Sequence, residues 1–313
     1  MSKLTGVVPP VCTPLTEAGE VDVASYRRLL DHLIDGGVDG LFVLGSSSEV
    51  VYLTNDQRRL VLETAVEHVA ARVPILTGVI DTTTPRVLEH VRVADELGVD
   101  GIVATAPFYT RTHPVEIDRH FRLIKEASST PLWAYDIPAC VQSKLGRDLV
   151  LSLAADGVLA GVKDSSGDDA SLRYLVLEAR GDGRFDDFSI FTGSELLVDT
   201  ALWFGVDGVV PGLGNVDPVG YVNLYRAARS GDWETARREQ ERLIMLFDFV
   251  NVGSRSRPMG GNSSAIGAFK AGLALQGVID NGRTADPQVQ LNESELETIG
   301  GYLQRAGLAV PVA

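Results

Sequence analysis

The chain uses arginine as its default positive charge: of 28 basic residues, only Lys3, Lys125, Lys144, Lys163 and Lys270 are lysines. Arginine keeps its proton under ordinary conditions, whereas a lysine shielded from water can release its own and act as a nucleophile. Lys163 follows Val158-Leu159-Ala160-Gly161-Val162, a run that reads as a buried strand. Poor hydration there favours the neutral amine, which adds to a carbonyl and loses water to form a Schiff base. The alternative for Lys163 is an ion pair past the strand end, with Asp164 as the nearest carboxylate in sequence.

Tyr135 closes Trp133-Ala134-Tyr135-Asp136. Beside an imine its phenol would move protons to and from substrate oxygens; otherwise it is a hydrogen-bonded rim residue. Ser46, Ser47 and Ser48 cluster on the turn after an apolar run. Hydroxyls and turn amides there suit a carboxylate, or simply cap the turn. Gly212-Leu213-Gly214 is either a phosphate cradle or a tight strand-to-helix turn. The histidines His32, His68, His90, His113 and His120 show no metal-ligand spacing, and the first three fall within helical patterns. This argues against a metal-dependent aldolase. No strand-end histidine partners Ser47 or Cys140, which argues against a hydrolase triad.

Residues spread from Ser46 to Lys163 meet only if a repeated element gathers strand ends. A phrase does repeat: Gly37-Val38-Asp39-Gly40, Gly98-Val99-Asp100-Gly101 and Gly205-Val206-Asp207-Gly208 each end an amphipathic stretch and enter a short apolar run. Glycine closes a helix in the left-handed conformation at little cost, and the apolar run reads as a strand buried on both faces. Eight strands are predicted: Gly6–Leu15, Gly40–Ser46, Pro74–Ile80, Gly101–Phe108, Pro131–Ile137, Val158–Ser165, Ser189–Glu195 and Gly208–Gly214. Helical patterns fill the gaps, such as Tyr26–Gly36, Thr54–Ala71 and a reduced helix near Leu196–Phe204. Thr54 with Gln57 makes a plausible cap. A spacing of ~30 residues and no glycine-rich dinucleotide loop after the first strand favour a (β/α)8 TIM barrel over an open doubly wound sheet.

Residues 1–231 form the expected barrel, and 232–313 a C-terminal helical extension with helices at Trp233–Phe249, Ser263–Leu275 and Glu293–Arg305. Asp280–Asn292 reads as a polar surface loop. In a barrel, catalytic groups gather at the C-terminal strand ends. Here those ends carry Thr13, Ser46 to Glu49, Asp81, Phe108, Tyr109, Tyr135, Asp136, Lys163, Asp164, Ser194, Glu195 and Gly212 to Asn215.

Composition narrows the partners. With 28 basic and 42 acidic residues in 313, the net charge is −14, which repels polyanions and argues against nucleic acid. The hydrophobic fraction of 45% and charged fraction of 22% are those of a globular chain. Cys12 and Cys140 make no disulfide framework, and the longest uncharged stretch, Leu4 to Thr16, is broken by three prolines. No membrane span or cleavable leader is expected, and a cytoplasmic location is.

Taken together, Gly45-Ser46-Ser47-Ser48-Glu49, Tyr135-Asp136-Ile137-Pro138 and Gly161-Val162-Lys163-Asp164-Ser165-Ser166-Gly167 resemble the motifs of the dihydrodipicolinate synthase / N-acetylneuraminate lyase family. Pro10-Val11-Cys12-Thr13-Pro14-Leu15 and Ala106-Pro107-Phe108-Tyr109 fit as well, so the resemblance covers nearly the whole chain. It implies a class I, pyruvate-dependent lyase or aldolase with no cofactor. In that reading Lys163 forms the Schiff base with a 2-oxo acid and Tyr135 shuttles the proton, bonded to Ser46 and then Tyr109. Ser46 and Ser47 hold the carboxylate, and the backbone near Val210 lines the other side. The tyrosine matching Tyr109 often comes from a neighbouring subunit in that family, which implies a homodimer or homotetramer.

Three positions depart from the family pattern. Ser48 replaces the glycine usual before Glu49 and is expected to crowd a tight turn. Asp136 stands where asparagine is common. Cys140 stands where true dihydrodipicolinate synthases carry an arginine that clamps the carboxylate of aspartate semialdehyde. A thiol cannot replace a bidentate guanidinium. Aldol cleavage or formation of a 2-oxo-3-deoxy sugar acid, with an aldehyde as second partner, therefore fits better than dihydrodipicolinate synthesis. A catalytically idle carboxylate-binding barrel and a phosphate-gripping barrel using Gly212 to Asn215 are the competing readings.

Overall fold

The computed structural model describes residues 3–310. Eight strands run parallel: β1 (Gly6–Val7), β2 (Leu41–Val43), β3 (Ile75–Gly78), β4 (Gly101–Thr105), β5 (Leu132–Asp136), β6 (Gly161–Asp164), β7 (Ser189–Thr192) and β8 (Gly208–Val209). Each pairs with its sequence neighbour from β2 to β8, and β8 pairs with β1. The last seam closes just beyond β1, where Phe42 N donates to Pro9 O and Val11 N donates to Phe42 O, both at 2.9 Å. The fold is a TIM barrel with helices between its strands and further helices at the C-terminus.

Every strand is shorter than its apolar run. Val8, Val11, Cys12 and Leu15 lie past the end of β1 yet are fully buried. Hydrophobicity reports burial, whereas a ladder also needs a neighbour in register. The barrel supplies that neighbour only along its waist, and the chain beyond turns outward to build the mouth.

The repeated Asp-Gly turns have a structural meaning that local spacing does not show. Asp39, Asp100 and Asp207 each accept the amide of one residue on the preceding strand, from Val7, Ile75 and Ile190 respectively, at 2.8 Å. Each also donates its own amide to that same residue's carbonyl. The repeat therefore staples β1 to β2, β3 to β4 and β7 to β8 at the end of the barrel away from the mouth. The preceding glycines, Gly37, Gly98 and Gly205, adopt φ of 84°, 71° and 106°, a region open to glycine at no steric cost.

Helix Asn55–Val69 starts as expected: Thr54 Oγ1 accepts Gln57 N at 3.2 Å and Gln57 Oε1 accepts Thr54 N at 3.0 Å. After Gly231 come helices Trp233–Phe247, Val252–Ser256, Gly261–Leu275 and Glu293–Arg305. Helix Gly261–Leu275 lies over the mouth side, its Phe269 against Gly212 and its Gly272 against Val216. The segment 280–292 is a loop, as its polarity suggested, with Asp280, Asp286, Pro287, Val289 and Asn292 exposed, but part of it turns inward. Thr284, Ala285 and Gln288 are buried, because the Ala285 amide and the Gln288 side chain serve a buried carboxylate described below. Among the described residues, no helix is long and apolar enough to cross a membrane.

Candidate active site

Lys163 rises from β6 into the barrel mouth and is 6% exposed. Its Nζ lies 4.1 Å from the ring centroid of Tyr135 and 5.1 Å from that of Phe42. Those two rings meet edge to face, 6.1 Å apart. The ion pair with Asp164 does not form. Successive residues of a strand point to opposite faces, so Asp164 turns outward, where its Oδ2 lies 3.2 Å from Lys144 Nζ. Lys163 is thus surrounded by aromatic faces and free of a carboxylate partner among the described residues.

Tyr135 is β5's inward residue and the register partner of Lys163. It is 3% exposed, and its hydroxyl is 3.4 Å from Ser46 Oγ. Lys163, Tyr135 and Ser46 are therefore brought together from three strands. Ser47 is buried beside Ser46, and Val210 follows β8 with its amide committed to Thr192 O at 2.9 Å. Val210 can thus offer its carbonyl rather than its N–H. Tyr109 is not brought in: it is 98% exposed, with φ of 62°. Within one chain the expected relay stops at Ser46.

Ser48 does not crowd its turn. The left-handed backbone falls on Leu44 and Glu49 instead. The Ser48 hydroxyl donates to Val11 O at 2.5 Å and accepts Gly45 N at 3.1 Å, while Thr13 Oγ1 donates to Ser48 O at 2.9 Å. A side chain at this position ties the serine loop to the segment after β1, which a glycine could not do.

The glycine turn after β8 is no phosphate cradle. Its amides are already used: Leu213 N donates to Glu195 Oε1 at 2.7 Å, Gly214 N to Pro211 O and Asn215 N to Gly212 O. The ligand of that turn is the chain's own Glu195. Burial pushes the Glu195 carboxyl up to about 7, with the amides of Leu213 and Gly212 and the charge of Lys163 holding it back. A carboxyl raised from its ordinary 4.5 gives stability that is complete below that value and lost as pH rises through about 7. The expected result is that Glu195→Gln gains stability over the natural chain between about pH 5 and about pH 8. Urea unfolding at both pH values checks it, and a difference that does not change with pH refutes the assignment.

Three residues named in the sequence but given no role there shape the site. Glu49, next to the serines, is buried and pairs with Lys270, whose side chain is fully buried in helix Gly261–Leu275. Glu49 Oε1 also accepts Ala285 N at 2.7 Å and Gln288 Nε2 at 2.5 Å. The signal was present: Lys270 is one of only five lysines and is the one charged residue of its helix. Lys144 is the third, bonded to both Asp136 and Asp164. Burial raises the Asp136 carboxyl, opposed by Lys144 and the amide of Leu145. Cys140 sits on the short helix Pro138–Val141 at the mouth; burial raises its thiol while the charge of Lys163 pulls the other way.

Residues 3–306 match the model of the dihydrodipicolinate synthetase family. The chain is 30% identical over 258 residues to a 4-hydroxy-tetrahydrodipicolinate synthase of Methanothermobacter thermautotrophicus, covering 82% of this chain and 90% of that one. It is 32% identical over 256 residues to the putative 2-dehydro-3-deoxy-D-gluconate aldolase YagE of Escherichia coli, covering 79% and 84%. The crystal structure of YagE in complex with pyruvate superposes with a TM-score of 0.89 at 29% identity, over 97% of this chain and 99% of that one. A family match over almost the entire length, on a barrel whose mouth presents a buried lysine, leaves one conclusion: the chain belongs to the dihydrodipicolinate synthetase family and is an enzyme of the lyase class.

Proposed function

We propose that the protein is a Schiff-base lyase that cleaves or forms a 2-oxo-3-deoxy sugar acid, with pyruvate as the 2-oxo acid product or substrate. The observation that carries this reading is the Lys163 amine, enclosed by the rings of Tyr135 and Phe42 and unpaired with any carboxylate of the described residues. Nζ adds to C2 of the 2-oxo acid, and loss of water leaves an imine. Tyr135, hydrogen-bonded to Ser46, gives its proton to the departing water and as phenolate then accepts the proton of the C4 hydroxyl. The C3–C4 bond then breaks, its electrons pass into the imine as an enamine, and the aldehyde departs. Protonation at C3 and addition of water release pyruvate and return the free amine. Ser46 and Ser47, with their turn amides, hold the substrate carboxylate.

Cys140 supports the sugar-acid class. It places a neutral thiol at the mouth, where a second substrate carboxylate would need a guanidinium. The name carried by YagE agrees with this choice. The competing reading, dihydrodipicolinate synthesis, has relatives of similar identity but lacks that clamp. The near-total exposure of Tyr109 favours a second copy of the chain covering the mouth, as a homodimer or homotetramer.

The test is intact mass after incubation with pyruvate and borohydride, followed by peptide mapping and then a panel of aldehydes. An adduct on the Lys163 peptide supports the imine. No adduct with pyruvate or longer 2-oxo acids turns the reading to an idle carboxylate-binding barrel. Tyr135→Phe should lower kcat by ~10²–10⁴-fold, the usual scale of a lost general acid–base, while pyruvate still labels Lys163. Turnover unchanged in that variant would remove Tyr135 from the mechanism.

A further inference from the structure

Tyr135 and Lys163 are register partners across β5 and β6, and so are the next residues, Asp136 and Asp164. Strand alternation sends the first pair into the mouth and the second pair outward. There two buried carboxylates face each other across one cation. Lys144 Nζ bonds Asp136 and lies 3.2 Å from Asp164 Oδ2, with its side chain one-third exposed. The free oxygens are also engaged, Asp136 Oδ1 by Leu145 N at 3.0 Å and Asp164 Oδ1 by Ser166 N at 2.8 Å. The main chain adds Ser165 N to Asp136 O and Gly193 N to Asp164 O. Of the other charges nearby, Arg147 pairs with Glu178 and Asp148. The half-buried Asp169, first residue of the helix Asp169–Arg180, has its carboxyl raised by burial and by the Asp164 charge, and so adds to the negative charge that Lys144 offsets.

We propose that Lys144 is a positioning residue, whose ammonium draws Asp136 and Asp164 together and so sets the spacing of Tyr135 and Lys163 on the opposite face. The inference rests on the imine reading above. Asp136 and Lys144 act as one charge-balanced unit. Without Lys144, two buried like charges would repel at the strand ends, and a shift of ~1 Å between reacting groups costs ~10²-fold in rate. If both are made neutral, the side-chain amide introduced by Asp136→Asn can donate toward Asp164 and the repulsion is gone.

The experiment compares the natural chain with K144M, D136N and K144M/D136N. Turnover is normalised to the lysine labelled by pyruvate and borohydride, so that unfolded protein does not count. K144M should lose ~30–100-fold in kcat with KM for pyruvate within ~3-fold, because the pocket's carboxylate contacts are untouched. D136N should stay within ~5-fold of the natural chain, and the double variant should return to within ~5-fold of D136N. Full activity in K144M, or a double variant no better than K144M, overturns the proposal. If K144M does not fold, the double variant decides alone: active supports the clamp, inactive refutes it. Thermal midpoints of all four chains separate this from the underlying reading. Failure of the natural chain to form an adduct defeats the imine, whereas additive midpoints defeat the clamp.

Discussion

Lys163→Ala is expected to lose ~10⁴-fold or more in turnover, the scale seen when a covalent nucleophile is removed, and to take no label from pyruvate and borohydride. Lys163→Arg should fail equally. It keeps the positive charge over the Tyr135 ring, but a guanidinium does not form the imine. The pair of variants therefore separates nucleophile from charge. Neither should unfold the protein, because Lys163 forms no ion pair among the described residues, and the nearby Glu195 carboxyl keeps the amides of Leu213 and Gly212 when the lysine goes. The unfolding free energy should stay within about 1 kcal/mol of the natural chain. Measured kcat, mass labelling and urea unfolding on the same preparations check all three statements. Turnover retained in either variant would end the Schiff-base mechanism, and gross unfolding would mean that Lys163 is structural.

Breaking the Glu49–Lys270 pair should have the largest effect on stability. Both side chains are almost fully enclosed, at 1% and 0% exposure. Lys270 Nζ also donates to Arg283 O at 2.8 Å. Lys270→Met would strand the Glu49 carboxylate in the interior, and removing one partner of a buried pair costs about 3–5 kcal/mol. The double variant Glu49→Gln/Lys270→Met should recover much of that, since neutral groups of similar size need no counter-charge. Glu49 holds a left-handed backbone immediately after the serine loop. The single variant should therefore also raise the KM for pyruvate. Urea unfolding of the two single variants and the double variant, with KM measured alongside, checks this. Single variants within about 1 kcal/mol of the natural chain would show that the pair is not what holds the C-terminal helices to the serine loop.

Much of the architecture is written in nearest-neighbour chemistry. The Gly-Val-Asp-Gly phrases announce helix end, turn and strand entry because each step is local. Thr54 and Gln57 mark a helix start for the same reason. Lys163 and Tyr135 stand out because an apolar run carries each to a strand end, and the alternation of a strand already implies that Lys163 and Asp164 face apart.

The partners of the buried polar groups are a different matter. Asp164 meets Lys144 only because β5 and β6 pair in one register. Glu49 meets Lys270 across more than 200 residues. The amides of Gly212 to Asn215 read as open to a phosphate, but the fold gives those of Gly212 and Leu213 to Glu195 and those of Gly214 and Asn215 to carbonyls of the turn itself. Segment 280–292 looked solvated because it is polar, yet the Ala285 amide and the Gln288 side chain close around Glu49. Patterns of hydrophobicity and turn residues are selected by short-range energies and can be read along the chain. A buried charge instead takes whichever counter-charge or amide the packed interior brings within about 3 Å, and that choice exists only once every strand and helix is in place.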